Sequence, residues 1–137
     1  MIRLDDKHAA RLARISPSLM IAAAGGALLD GAETISADAK HSILDGAISG
    51  PGHVPSAPGE PPNADTHDLD QSIHVGELIE TPAQVQTAVI ADSDHALYME
   101  LGTSRIAERP FMRPAVARNR TEVLAGLRSA IRKVIGI

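Results

Sequence analysis

Residues 98–115 read YMELGTSRIAERPFMRPA, and the fold turns on how this joint is understood. The apolar run just before and into it, Ala96 to Leu101, reads as a strand that breaks at Gly102. A polar loop then crosses to Arg109-Pro110-Phe111, and Pro114 stands where a proline can open a final helix. Tyr98 and Phe111 are the only aromatic residues in the chain. With no other large rings to bury, both are expected to anchor the junction between sheet and helix. Glu100 reads as a strand terminator paired with Arg105 or Arg109, an interaction worth little where it is exposed. No spacing in this stretch points to chemistry, and it reads as a structural joint.

Downstream of the joint, Val116, Val123, Leu124, Leu127, Ala130, Ile131, Val134 and Ile135 predict one apolar stripe of an amphipathic helix. Arg118, Arg120, Glu122, Arg128, Arg132 and Lys133 fill the remaining positions, the last three suiting the helix dipole. Upstream, three strands are expected. Gln71 to Ile79 alternates Ser72 and His74 against Ile73 and Val75. Gln84 to Ala91 carries Val85, Thr87 and Val89 on one face, with Ile90 breaking the pattern. Asp92-Ser93-Asp94-His95 would then turn this strand back onto Ala96 to Leu101, making an antiparallel meander.

Residues 50–70, GPGHVPSAPGEPPNADTHDLD, hold five prolines and exclude a regular helix or a central strand. A structureless loop of this length is expected to be mobile in a monomer and ordered only against a neighbour. Before it, Ser16-Pro17 is a helix start, with Ser16 as cap. Met20, Ala24, Ala27, Leu28, Ile35, Ala39, Ile43 and Ala47 then recur mostly at helical spacing, so a long helix should end between Gly46 and Gly50. Gly25, Gly26 and Gly31 weaken it, which implies a bend or the close approach of another backbone. A shorter helix is expected over residues 5–14. Helix, long loop, antiparallel strands and helix make one α+β domain spanning 1–137, its helices on one face of a small sheet of three to four strands.

A chain of 137 residues with 44% apolar content buries a modest core, built here from Ala, Ile, Leu and Val. A formal charge of −4 argues against a nucleic-acid binder with a basic face. The arginines of the last helix lack interleaved aromatics and read as a solvated or intersubunit face. Without cysteine there are no disulfides and no thiolate chemistry. Arg11 and Arg14 before the apolar run Leu19 to Leu29 mimic a secretion signal. Asp5 and Asp6 oppose that reading, and eleven residues fall short of the ~20 that span a bilayer, so a buried helix and no membrane association are expected.

Asp65, His67, Asp68, Asp70 and His74 form the one dense cluster of metal-ligand types, at spacings that match no known metal loop. Polar turn chemistry before a strand accounts for them. Ser72, His74 and Asp65 supply the residue types of a nucleophilic triad, with no strained elbow around the serine. No catalytic residue, metal or cofactor is therefore expected.

Two stretches carry a resemblance. Glu100-Leu101-Gly102-Thr103 followed by RPFMRPA (109–115) is one. PSAPGEPP (55–62) followed by Asp65-Thr66, Leu69 and Ser72-Ile73 is the other. Together and in this order they resemble the small neck and tail-completion proteins of long-tailed double-stranded DNA phages, over roughly residues 10–135. Two departures stand out. His67 occupies the position after Asp-Thr where the family usually has glycine, and Asp70 stands where a basic residue is common. If that glycine adopts positive φ, His67 must tolerate the same conformation or the turn must differ.

The resemblance implies a structural virion protein that forms a ring, sixfold by the tail-tube context, at the head–tail junction. DNA would pass its lumen as transient, non-specific cargo. Neighbouring head-completion or stopper proteins and tail-terminator or tail-tube proteins would be its partners, with the host cytoplasm as the place of assembly. It also implies architectural roles for Pro58, Gly59, Asp65, Thr66 and Leu69 in the loop and for Glu100, Gly102 and Thr103 at the turn. Tyr98, Arg109, Pro110, Phe111, Arg113 and Pro114 would serve the joint. A tail-terminator ring is the neighbouring alternative, and a small enzyme using the Asp65–His74 cluster the distant one.

Overall fold

The computed structural model describes residues 6–13 and 15–136. Helix α1 spans Asp6–Ala13 and α2 spans Pro17–Leu44. After a long loop containing one 3-10 turn at Gly50–Gly52 come a short helix α3 (Asp68–Ser72) and strands β1 (Ile73–Val75), β2 (Ile79–Thr81), β3 (Gln84–Gln86) and β4 (Val89–Ala91). Helices α4 (Ala96–Leu101) and α5 (Met112–Ile135) complete the chain. The architecture is α+β.

Helix α2 starts where Ser16-Pro17 predicts, with Ser16 in extended backbone and Pro17 at the first helical position. Ser16 does not cap with its side chain. Its hydroxyl meets Ser18 Oγ at 2.7 Å, and its carbonyl accepts the Met20 N–H at 3.1 Å. The buried face runs Gly25, Gly31, Ala32, Ser36, Ala39 and Ile43, and the helix stops at Leu44. By length and composition α2 could cross a membrane. Here α5 packs along one side of it and the strands along another.

The α2–α5 pair is antiparallel, and Gly31 permits the approach. A Cβ at Gly31 would stand 2.7 Å from Val123 Cγ1. Further along, Asp38 accepts Arg118 Nε at 3.0 Å and Asn119 Nδ2 at 2.6 Å. The side of α5 that is covered passes through Ala115, Asn119, Val123, Leu127, Ala130, Ile131 and Val134. Val116 and Leu124, counted into the expected stripe, are exposed. Each sits one residue, about 100° of helix turn, past a covered position.

The strands depart from the expected meander. β1 pairs antiparallel with β4 and β2 with β3, as two separate ladders. They lie along one hairpin arm whose tip is Pro82-Ala83. Gly76–Leu78 on the outgoing side faces only Thr87–Ala88 on the return, so the register slips by one residue between the ladders, as a bulge does. The Gly76 N–H to Ala88 carbonyl bond (2.7 Å) and the Thr87 hydroxyl to Gly76 carbonyl bond (3.1 Å) stitch this break. The strand expected over Gln71 to Ile79 shortens to Ile73–Val75, because Gln71 and Ser72 belong to α3. The alternation holds within it, with Ile73 buried and His74 exposed, and Val85, Thr87 and Val89 are more covered than their neighbours.

Ala96–Leu101 is a helix, not the third strand. Ala, Leu, Met and Glu are strong helix formers, and the run ALYMEL contains no β-branched residue. Asp92 to His95, expected as a hairpin turn, instead leads into α4, with the Ala96 N–H donated to the Ser93 carbonyl at 3.0 Å. The expected placement of both helices on the sheet is also corrected: α2 lies against the arm, while α5 packs chiefly on α2.

The core gathers where all these elements meet. Ala39 and Ile43 of α2, Ala64 of the loop, Ile73 of β1, Ala96 of α4, Phe111 and Ala115 form one buried cluster. Phe111, Ile43 and Ile73 are its largest fully buried side chains, Phe111 at 1% exposure.

Candidate functional site

The joint forms around Glu100. Its carboxylate accepts the backbone N–H groups of Phe111 (2.8 Å), Met112 (2.9 Å) and Arg113 (2.9 Å), the first free donors of α5. A helix start leaves such donors without partners inside the helix, and an acid there also suits the dipole. Glu100 was expected to pair with Arg105 or Arg109, but its ion pair is with Arg113, at 3.0 Å. Arg113 reaches on to Glu108 at 2.9 Å, so one guanidinium bridges two carboxylates. Burial pushes the Glu100 carboxyl up, but the three backbone donors and Arg113 outweigh it and hold the group below its ordinary range. Pro114 sits inside the first turn of α5, two residues past its start.

Gly102 and Thr103 are explained by the turn between them and Arg109. Gly102 has φ 72°, and a Cβ there would stand 2.8 Å from the Glu108 nitrogen. Only glycine fits without strain. Thr103 donates its N–H to the Ile106 carbonyl at 2.8 Å, and its hydroxyl accepts the N–H groups of Arg105 and Ile106. Phe111 anchors the joint as expected. Tyr98 does not: it is 49% exposed on the outer side of α4.

The 50–70 loop, expected to be free in a monomer, is hydrogen-bonded to its own domain. Ala64 N–H reaches the Ile43 carbonyl at 3.1 Å, and Asn63 Nδ2 holds the Val54 carbonyl at 2.8 Å. Gly59 N–H is donated to the Glu108 carbonyl at 2.9 Å, and Arg109 Nε to the Ser56 carbonyl at 3.2 Å. The two stretches that carry the family resemblance therefore touch each other. Pro58 is exposed beside these contacts, Pro110 is half-buried at the joint, and Leu69 packs against the core.

The expected ligand cluster is dispersed. Asp65 Oδ1 accepts the Gly50 N–H (3.2 Å), Thr66 Oγ1 donates to Asp68 (2.7 Å), and His74 points outward with Nδ1 2.9 Å from the Ser72 carbonyl. Among the described residues no group of three or more carboxylates and imidazoles is disposed to hold a metal ion. Ser72, His74 and Asp65 are not brought together; Ser72 donates to the Leu69 carbonyl at 2.7 Å.

A different trio is assembled. His67 Nδ1 lies 3.2 Å from Asp70 Oδ1, and its Nε2 lies 3.1 Å from Ser49 Oγ. His67 has φ 67°, the one positive φ outside glycine among the described residues. The two departures from the family pattern thus contact each other, and buried Asp70 holds the imidazole of a residue in a disfavoured conformation. The order serine, imidazole, carboxylate matches a nucleophilic triad. Its surroundings do not. The N–H after the serine, on Gly50, is occupied by the Asp65 carboxylate, which sets negative charge where an acyl-transfer site needs a donor. Ser49 also reaches the Ala64 carbonyl at 3.2 Å, so the trio ties the loop's two ends together. The signal for it was available as the i, i+3 spacing of His67 and Asp70; Ser49 gave none.

A groove of about 650 Å³ runs between α2 and α5 past Gly31, Val123 and Gly126, with Asp30, Glu122 and Lys133 at its polar margin. Comparison of the chain with protein-family models, with curated proteins and with solved structures returned no match.

Proposed function

We propose that this protein is a structural component of a phage neck or tail, a ring subunit at the head–tail junction that completes the tail and lets DNA pass through its lumen. The observation that carries this reading is the contact between the two resembling stretches, Arg109 on Ser56, with Gly59 bonded to the adjacent Glu108. Motifs separated by some forty residues in sequence make one structural unit, as parts of a common architecture should. Each of their distinctive residues acts in building: Glu100 caps α5, Gly102 and Thr103 make the turn, and Phe111 fills the core. The protein then works through surfaces, not catalysis.

The loop's attachment to its own domain leaves the hairpin arm as the element better placed to reach a neighbour. Its tip strand β2 is exposed throughout. A net charge of −4 suits a lumen in which DNA slides, because excess positive charge would hold phosphates. Immunogold electron microscopy of particles from a lysate of the source organism tests the assignment. Label confined to the head–tail junction is expected, and protein found only in the soluble fraction would overturn it.

A further inference from the structure

We propose that the outer face of α4 is one half of a head-to-tail interface between copies of this chain, and that the other half is the groove between the start of α2 and the hairpin tip. This rests on the ring reading and names the surfaces that would close the ring. On α4, Leu97 (63% exposed), Leu101 (57%) and Tyr98 point outward, with Ile106 exposed beside them. Large apolar side chains clustered on one short helix mark a contact surface more than a solvated one. The chain's single tyrosine is among them, an amphipathic ring of the kind that dominates interface energetics.

The patch is also held rigid. Glu100 fastens α4 to the start of α5, and the Met99 carbonyl accepts the Arg109 N–H at 2.6 Å. A partner that binds it would lose little ordering entropy.

The second surface is a groove of about 490 Å³ lined by Pro17, Ile21, Glu80, Thr81 and Pro82. It lies at the far end of α2 from α4, since Ala96 of α4 packs with Ala39 and Ile43 near the helix's other end. Twenty-eight residues of helix separate the ends by about 42 Å. Two different surfaces at opposite ends give a heterologous contact, which generates a ring where the rotation between copies closes and an open filament where it does not. Glu80 at the groove and Arg105, exposed in the turn that follows α4, carry opposite charges.

Surface area argues for a second copy as the occupant. A compact monomer of 14.4 kDa exposes about 6,800 Å², whereas this chain exposes 9233 Å². The excess, roughly 2,400 Å², exceeds the area of about 1,600 Å² that two standard interfaces remove from one ring subunit.

The absence of cysteine makes the test direct. Leu101→Cys and Pro82→Cys chains are purified separately, checked for native circular dichroism, then mixed at high concentration and oxidised. A disulfide-linked dimer from the mixture, with much less from either variant alone, is expected. Adding Leu97→Asp to the Leu101→Cys chain should reduce that product at least tenfold. Efficient dimerisation of Leu101→Cys alone would indicate a two-fold contact and overturn the proposal. So would equal cross-linking in every combination, or none in any. Cross-linking reads the contact in purified protein, so its failure is distinct from a failure of the neck assignment, which rests on the position of the gold label.

Discussion

Glu100 Oε2 lies 2.8 Å from the backbone nitrogen of Phe111, so the helix that ends with Leu101 supplies the cap for the helix that begins at Met112. The chain between them could reach this arrangement in many ways, and the carboxylate selects one. Substituting Glu100→Ala leaves three backbone donors without their acceptor and should destabilise the fold by about 1.5–3 kcal/mol. The effect should depend on pH. A carboxyl held below its ordinary value contributes stability above the unfolded value and loses it as pH falls through the folded value. Urea melts of wild type and Glu100→Gln should therefore differ most at neutral pH and converge in acid. Parallel curves across that range would show the cap to be energetically silent.

Phe111 and Tyr98 separate cleanly. Phe111→Ala empties a fully buried site and should cost about 3–5 kcal/mol. Tyr98→Ala removes a half-exposed ring and should stay within about 0.5 kcal/mol. Thermal melts of the two variants check this, and equal losses would contradict the outward orientation of Tyr98.

The glycines of α2 give a paired test. A Cβ on Gly26 meets nothing within 4 Å, so Gly26→Ala should stabilise by roughly 0.5–1 kcal/mol through helix propensity alone. A Cβ on Gly31 meets both Val123 methyls at 2.7 and 3.0 Å, so Gly31→Ala should destabilise by about 1–3 kcal/mol. Adding Val123→Ala should recover part of that loss, because the two changes share one contact. Denaturant midpoints of the four proteins decide it.

The sequence was most legible where pattern and packing agree. Ser16-Pro17 marks the start of α2, and Phe111 the centre of the core. Gly31, suspected of the close approach of another backbone, instead admits the Val123 side chain, and Gly26 meets nothing. The α4 segment was misread because six residues are too few to show helical period, while its composition already favoured a helix. Tyr98 was misjudged for the same reason, since a strand and a helix aim that side chain differently. The loop was expected to be free because its bonds run to distant carbonyls, Ile43 and Glu108, which local sequence does not encode. Ser49 was missed because it meets His67 only after residues 50–66 have closed.

His67 tests how a left-handed residue is held. Its φ of 67° carries a penalty of about 1–2 kcal/mol for a side chain with a Cβ, while Asp70 and Ser49 hold the imidazole at 3.2 and 3.1 Å. His67→Ala loses both contacts and keeps the penalty. His67→Gly loses the contacts but removes the penalty, offset in part by the glycine's greater freedom when unfolded. The glycine variant should therefore be the more stable of the two by about 1 kcal/mol, and neither should match wild type while Asp70 stays buried without its partner. Adding Asp70→Asn should narrow the gap between His67→Gly and wild type by removing the stranded charge. Equal urea midpoints for the alanine and glycine variants would mean that the backbone relaxes out of the left-handed region once the imidazole is gone. In that case the Asp70 contact, not the turn, sets the conformation of residue 67.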